Sequence, residues 1–270
     1  EENRGLATMF VMMNAARLAV GVQGVAVCER ATQRAVAYAK ERRQGKSFIP
    51  ANGEMSPIIE HADVRRMLLT MKSLTQASRM ICLATARALD DAHRASDPTE
   101  KVTALNRAAL LTPVAKAFST DNGVDVASLG IQVHGGMGFV EETGAAQHLR
   151  DARILPIYEG TNGIQAIDLV MRKLPLEGGN AIISYFKELA EIAEAVRASN
   201  RADLGLTGKR LAAALAALGE ATTWMGKALQ VSPEAALAAA TPYLRLFGLT
   251  AGGAYLAKGA LNEDEGSRHV

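Results

Sequence analysis

Between residues 6 and 43 the chain carries no proline, and apolar positions recur at steps of three and four through Phe10, Met13, Leu18, Val22, Val25, Val36 and Tyr38. That period is helical, and Gly45 and Pro50 supply a stop, so one long helix is predicted. At 1.5 Å per residue it would span on the order of 55 to 60 Å, a length that only a bundle can furnish with enough partners. Pro57 is expected to open a second long helix, its stripe running through Ile58, Ile59, Val64, Met67, Leu68, Met71, Leu74, Ile81 and Leu83 to Asp91 or beyond. Ser96-Asp97-Pro98 breaks it, and a third helix is predicted over 99–130 with a kink at Pro113. Its core side is Leu105, Leu110, Val114, Phe118, Val124, Val126 and Leu129. Three such helices outline an antiparallel, up-and-down bundle.

The pattern changes at residues 131–157, where a Gly-rich loop, Gln132-Val133-His134-Gly135-Gly136-Met137-Gly138-Phe139, precedes a polar helix carrying Arg150, Asp151 and Arg153. After Pro156 comes the turn Tyr158-Glu159-Gly160-Thr161-Asn162-Gly163, then a short helix over 164–174. Pro175 and Gly178-Gly179 mark a boundary, beyond which 181–197, 204–229 and 233–261 are predicted as three Ala-rich amphipathic helices. The expected fold class is therefore all-α, a helical bundle over 1–174 followed by an extra helical module over 175–270. No internal repeat and no strand pattern stands out.

Composition sharpens this picture by exclusion. Apolar residues make up 49% of the chain and aromatics only 4%, a mix that favours helices over sheets. Lys and Arg number 30 against 28 Asp and Glu, a net charge of +2, which is too balanced for a dedicated nucleic-acid or membrane-surface protein. Asn14, Arg17 and Gln23 interrupt the longest apolar stretch, so no transmembrane span is expected. Cys28 and Cys82 lie in apolar helical surroundings outside any CxxC pattern and are expected to be buried thiols in a reducing compartment. The five histidines, His61, His93, His134, His148 and His269, show no metal-ligand spacing, so metal catalysis is not expected. The start at Glu1 and the polar ending both suggest a piece of a larger protein.

The turn around Glu159 is the strongest candidate for chemistry. Glycine beside an acid lets a ligand approach the backbone, and main-chain N–H groups nearby could bind a carbonyl oxygen, which would set a base next to an oxygen-binding dipole. The same octet equally describes a helix cap in which Thr161 or Asn162 supplies the acceptor and Glu159 is solvated. The loop over 132–138 could bring main-chain N–H groups to a phosphate or be a plain connection; Glu141 stands where a dinucleotide fingerprint would need glycine. Arg42-Arg43-Gln44-Gly45-Lys46 could complement the helix dipole or clamp a phosphate. Arg17 interrupts the apolar face of the first helix and needs a carboxylate, carbonyl or ligand partner if buried.

Taken together, Gln132 to Phe139, Arg150-Asp151-Ala152-Arg153 and Ile157 to Gln165 strongly resemble the C-terminal helical domain of acyl-CoA dehydrogenases, and the helix ending Tyr38-Ala39-Lys40-Glu41-Arg42-Arg43-Gln44-Gly45 matches that domain's first long helix. The resemblance covers about residues 5–174, and the helices after Pro175 look like an extension found in a bacterial-type subgroup. It implies that Glu159 is the catalytic base, taking the α-proton of an acyl-CoA thioester while the β-hydrogen leaves as hydride to FAD. The thioester carbonyl would be held by the main-chain N–H of Glu159 and a flavin hydroxyl. Tyr158 and Gly160 would line the acyl pocket, with Arg17 beside the base. Thr161 would contact the flavin, while Arg42, Gln44, Gln132, Gly135 and Gly136 would reach a neighbouring subunit's FAD, making the protein at least a homodimer. Electron-transfer flavoprotein is the implied acceptor and the cytoplasm the implied compartment.

Two departures accompany the resemblance. Gly163 stands where many members have a glutamine contacting FAD, and Ala15 and Ala16 stand where some relatives carry a base on the first helix, which favours Glu159. The family's N-terminal helical domain and middle β-domain have no counterpart in this chain, so weak FAD binding and negligible turnover are expected of it alone. An acyl-CoA oxidase using the same base, and a helical assembly module without catalysis, are the alternatives.

Overall fold

A computed structural model describes residues 5–48 and 55–263, with the side chains of 6–8, 10 and 11 excepted. The core expectation for Phe10, the stop at Pro50 and the tail beyond 263 therefore lie outside the described residues. Helix α1 spans Gly5–Glu41, α2 spans Ala62–Arg94 and α3 spans Pro98–His134. Asp97 caps α3 by accepting from the Thr99 N–H at 3.0 Å, with Pro98 in the first turn, where its missing donor costs nothing. The helix continues through Pro113 without a break in assignment. It lies between α1 and α2, and its residues 111–120 are all buried.

Of the predicted face of α1, Val25 is buried and Leu18 and Val36 pack against the core, but Val22 does not. Val22 is 51% exposed, and the packed side is Arg17, Val20, Gly21, Gly24, Val25, Cys28, Ala31 and Ala35. Small residues do the packing: a Cβ on Gly24 would sit 2.6 Å from the Ser119 carbonyl oxygen, so the α1 and α3 backbones are nearly in contact. Leu83 and Leu105, also expected inside, are 56% and 46% exposed.

Past Glu41 the chain turns back on itself through an isolated antiparallel bridge between Arg43 and Pro57. Gln44 N–H donates to Ser56 O at 3.0 Å and Ile58 N–H to Arg42 O at 2.8 Å, and residues 58–60 form a single 3-10 turn before α2 begins. Pro57 thus belongs to this bridge instead of opening α2. The expected Gly-rich loop is largely helical: Gln132 and His134 sit in the last turn of α3, Gly135 reverses the chain at φ 60°, and α4 is the short turn Gly136–Phe139. Helix α5 follows at Ala145–Ala152, and α6 at Asn162–Asp168 continues into a π-turn over Leu169–Lys173.

The last three helices are α7 (Asn180–Ala198), α8 (Thr207–Val231) and α9 (Pro233–Asn262). Buried Ile182, Tyr185, Leu189, Ile192 and Val196 give α7 one apolar stripe at helical spacing. Helix α9 carries Phe247, Leu244 and Ala251 into the same core as Ala77, Ile81, Leu110, Phe118 and Leu169, so one apolar cluster joins the extension to the bundle. Among the described residues there is no strand, and no helix is long and apolar enough to cross a membrane.

Candidate functional site

Glu159 sits in the turn between α5 and α6 with φ 56°, in the left-handed region that a side chain occupies at a cost, and Gly160 follows at φ 82°. The turn is held from behind. Gln165 Nε2 donates to the carbonyls of Glu159 and Gly160 at 3.3 and 3.2 Å, and Lys116 Nζ, from the middle of α3, donates to Gly160 O at 2.9 Å. Lys116 also donates to Asn162 Oδ1 at 2.8 Å, while the Asn162 amide donates to Thr120 Oγ1 at 2.9 Å and Asp121 Oδ1 at 2.6 Å. Asn162 is therefore an anchor between α6 and α3. Thr161 is the cap, its Oγ1 accepting from the Ile164 N–H at 3.4 Å.

The Glu159 carboxylate stays outside this network. It is half-buried and, among the described residues, makes no hydrogen bond or ion pair. The main-chain N–H groups of Glu159 and Gly160 likewise donate to no described protein group. An unpaired carboxylate and outward N–H groups on one turn can accept a proton and hold an oxygen side by side. Tyr158 is half-buried beside them, its hydroxyl donating to Gln23 Oε1 of α1.

Arg17 is 6% exposed and has the carboxylate partner its position demands: Nη1 lies 3.5 Å from Asp168 Oδ2. Asp168 also faces Arg172 and Lys173, at 3.5 and 3.8 Å. Arg17 also borders the turn, since Nη2 is 3.8 Å from where a Cβ on Gly160 would be, and its buried Nε has no partner. Burial pushes the Lys116 ammonium down to about 8, against the pull of Asp121 and Glu159. Burial likewise raises Asp121 above the usual carboxylate range, opposed by the Asn162 hydrogen bond.

The remaining candidates gather elsewhere. Arg42, Gln44, Gln132, Gly135 and Gly136 line one cleft of about 350 Å³ at the far end of α3, together with Tyr38 and His134. Arg42 Nη2 donates to Gln44 Oε1 at 3.1 Å, and the Tyr38 and His134 rings stack at 4.3 Å. Gly135 and Gly136 face open space, leaving their backbone approachable. A guanidinium beside bare main chain fits an anionic group such as a dinucleotide phosphate, and the cleft has room for one part of such a molecule. From Lys116 to Gly135 is 19 residues of helix, about 28 Å at 1.5 Å each, so the two sets stand far apart within one chain. Lys116, Asp121, Gln165 and Asp168 were not singled out from the sequence. Their signal was the ordinary one of a charged or polar residue inside an apolar helical run, as at Lys116 between Ala115 and Ala117.

Residues 3–174 match the family model described as acyl-CoA dehydrogenase, C-terminal domain, and residues 185–268 match acetyl-CoA dehydrogenase C-terminal like. The chain is 45% identical over 261 residues to 3-methylmercaptopropionyl-CoA dehydrogenase of Ruegeria pomeroyi, covering 97% of this chain and 44% of that protein. Its fold resembles the crystal structure of Caenorhabditis elegans ACDH-11 in complex with C11-CoA, with a TM-score of 0.75 at 21% identity over 98% of this chain and 43% of the other. It also resembles an acyl-CoA dehydrogenase complexed with FAD from Bacillus anthracis, with a TM-score of 0.57 at 20% identity over 97% of this chain and 51% of the other. The chain thus spans about half, or less, of each protein it matches. With the matched model covering well over half of its residues, this chain belongs to the acyl-CoA dehydrogenase family, whose C-terminal helical domain it carries.

Proposed function

We propose that this chain is the C-terminal helical part of an FAD-dependent acyl-CoA dehydrogenase in which Glu159 is the base that takes the α-proton of an acyl-CoA thioester. The observation that carries the reading is the conformation of Glu159: a carboxylate left unpaired among the described residues on a left-handed turn whose two carbonyls, of Glu159 and Gly160, are held by Gln165 and Lys116. A turn selected for stability alone would place glycine there.

The proton passes from the α-carbon to a Glu159 carboxylate oxygen, while the Glu159 N–H donates to the thioester oxygen as it gains negative charge. Tyr158 and Gly160 line the acyl chain. Arg17, paired to Asp168, backs the pocket behind Gly160. When bound, FAD supplies the acceptor for the hydride that leaves the β-carbon. Thr161 would contact it, and Arg42 with Gln44, Gln132, Gly135 and Gly136 would hold an anionic part of it. The family resemblance implies that this second set reaches the flavin of a second copy, making the protein a homodimer or a dimer of dimers, and the distance along α3 between the two sets is compatible with that. With Gly163 in place of a glutamine, the flavin relies on the remaining contacts here. The relationship to 3-methylmercaptopropionyl-CoA dehydrogenase makes a short acyl-CoA the first substrate to try; electron-transfer flavoprotein as acceptor and the cytoplasm as compartment are what the family resemblance implies.

Glu159→Gln tests the reading in the full-length protein that carries this chain. The account expects flavin content unchanged and dye-coupled turnover reduced by about 1,000-fold or more, the loss of a general base together with its charge. Turnover within a few-fold of the parent would leave a helical assembly module as the better description.

A further inference from the structure

Lys116 is the least expected residue in the core. Its side chain is fully buried in the middle of α3, between Leu111, Val114, Ala115, Ala117 and Phe118, where an apolar residue would pack without desolvating a charge. Its ammonium reaches two acceptors, Gly160 O at 2.9 Å and Asn162 Oδ1 at 2.8 Å, both in the segment that follows Glu159. Neither acceptor belongs to α3 itself, so these bonds fix the turn and α6 to the central helix. With the Gly160 carbonyl held by Lys116 and Gln165, the peptide planes of the turn are set, and Glu159 keeps its left-handed conformation with its side chain unpaired among the described residues.

Resting on the reading of Glu159 as the base, we infer that Lys116 is its positioning residue: the buried ammonium holds the Gly160 carbonyl and the Asn162 side chain and thereby keeps Glu159 in its left-handed, unpaired conformation. The charged groups facing this ammonium are Asp121 on its own helix, Arg17 from α1 and Glu159 from the turn. Burial weakens the hold of the ammonium on its proton; Arg17 weakens it further, while Asp121 and Glu159 oppose both.

The test compares Lys116→Met, Lys116→Gln and Glu159→Gln in the full-length, flavin-loaded protein. Lys116→Met removes the charge and both hydrogen bonds at nearly constant length, whereas Lys116→Gln keeps a donor without a charge. For Lys116→Met the expected result is a kcat lower by about 10- to 100-fold, with KM changed less than about threefold. Lys116→Gln, which keeps a donor, should recover part of the kcat, a rescue that a merely space-filling role would not give. A parental kcat in folded Lys116→Met would overturn the inference, as would failure of both variants to fold, which would make Lys116 a determinant of the fold alone. If Glu159→Gln keeps its activity, the reading of the base fails; if it is inactive while Lys116→Met is normal, only the role of Lys116 fails.

Discussion

A side chain in the left-handed region costs about 1 kcal/mol relative to glycine, and Glu159 bears that cost one residue before a glycine that would accept it freely. Glu159→Gly should therefore raise stability by about 1 kcal/mol while abolishing turnover, a pairing that urea unfolding and a dye-coupled assay on the same sample would check. Lys116 gives a second prediction with a definite sign. Its proton is lost at about 8 in the folded chain against 10.5 when unfolded, so across that window the unfolded state holds more protons and the contribution to stability rises with pH. Unfolding measured on both sides of the window should show this rise in the parent and a flatter difference in Lys116→Met. Glu159 was legible in the sequence because an acid between a tyrosine and a glycine at a helix entrance is a local pattern. Lys116 was not, because its partners are 44 and 46 residues away and nothing in its own helix announces them.

At the scale of elements, the helices were legible and their packed faces only partly so. Capping and proline placement are local signals, and α3, α7 and α9 begin within one or two residues of the predicted starts. The face of α1 was legible at Val25, Leu18 and Val36 but not in full, because glycines and alanines, which carry little hydropathy, form much of it, while Val22 is exposed. Close approach of two backbones gives up side-chain area for contact between main chains, a preference that apolar periodicity does not register. Gly24→Ala, whose Cβ would meet the Ser119 carbonyl at 2.6 Å, should cost about 2 kcal/mol by forcing α1 from α3, measured as a lower denaturant midpoint. The segment between α1 and α2 was also misread at Pro57, since an isolated bridge depends on a partner 14 residues earlier and leaves no periodic trace.

Across the whole molecule, the sequence suggested a bundle and an appended module, yet a single apolar cluster runs through both. Gly248 of α9 lies so close to the Phe118 ring of α3 that a Cβ would come within 2.4 Å, and Tyr185 stacks on Phe247 at 5.5 Å. Bundle and extension should accordingly unfold in one cooperative transition, and Gly248→Leu in α9 should lower the stability of α1 to α3 as well, read by hydrogen exchange in those helices. The length of α3 was legible, but the sequence did not show where along it the Glu159 turn packs, since that is set by the long-range bonds of Lys116 to Gly160 and Asn162. The account stands or falls on proton transfer at Glu159, and the most direct measurement uses an acyl-CoA analogue with no hydrogen on its β-atom, so that α-proton exchange proceeds without oxidation. Incubated in deuterium oxide with the full-length protein, the analogue should gain α-deuterium with the parent and none above background with Glu159→Gln. Equal deuterium incorporation by both proteins would contradict the account.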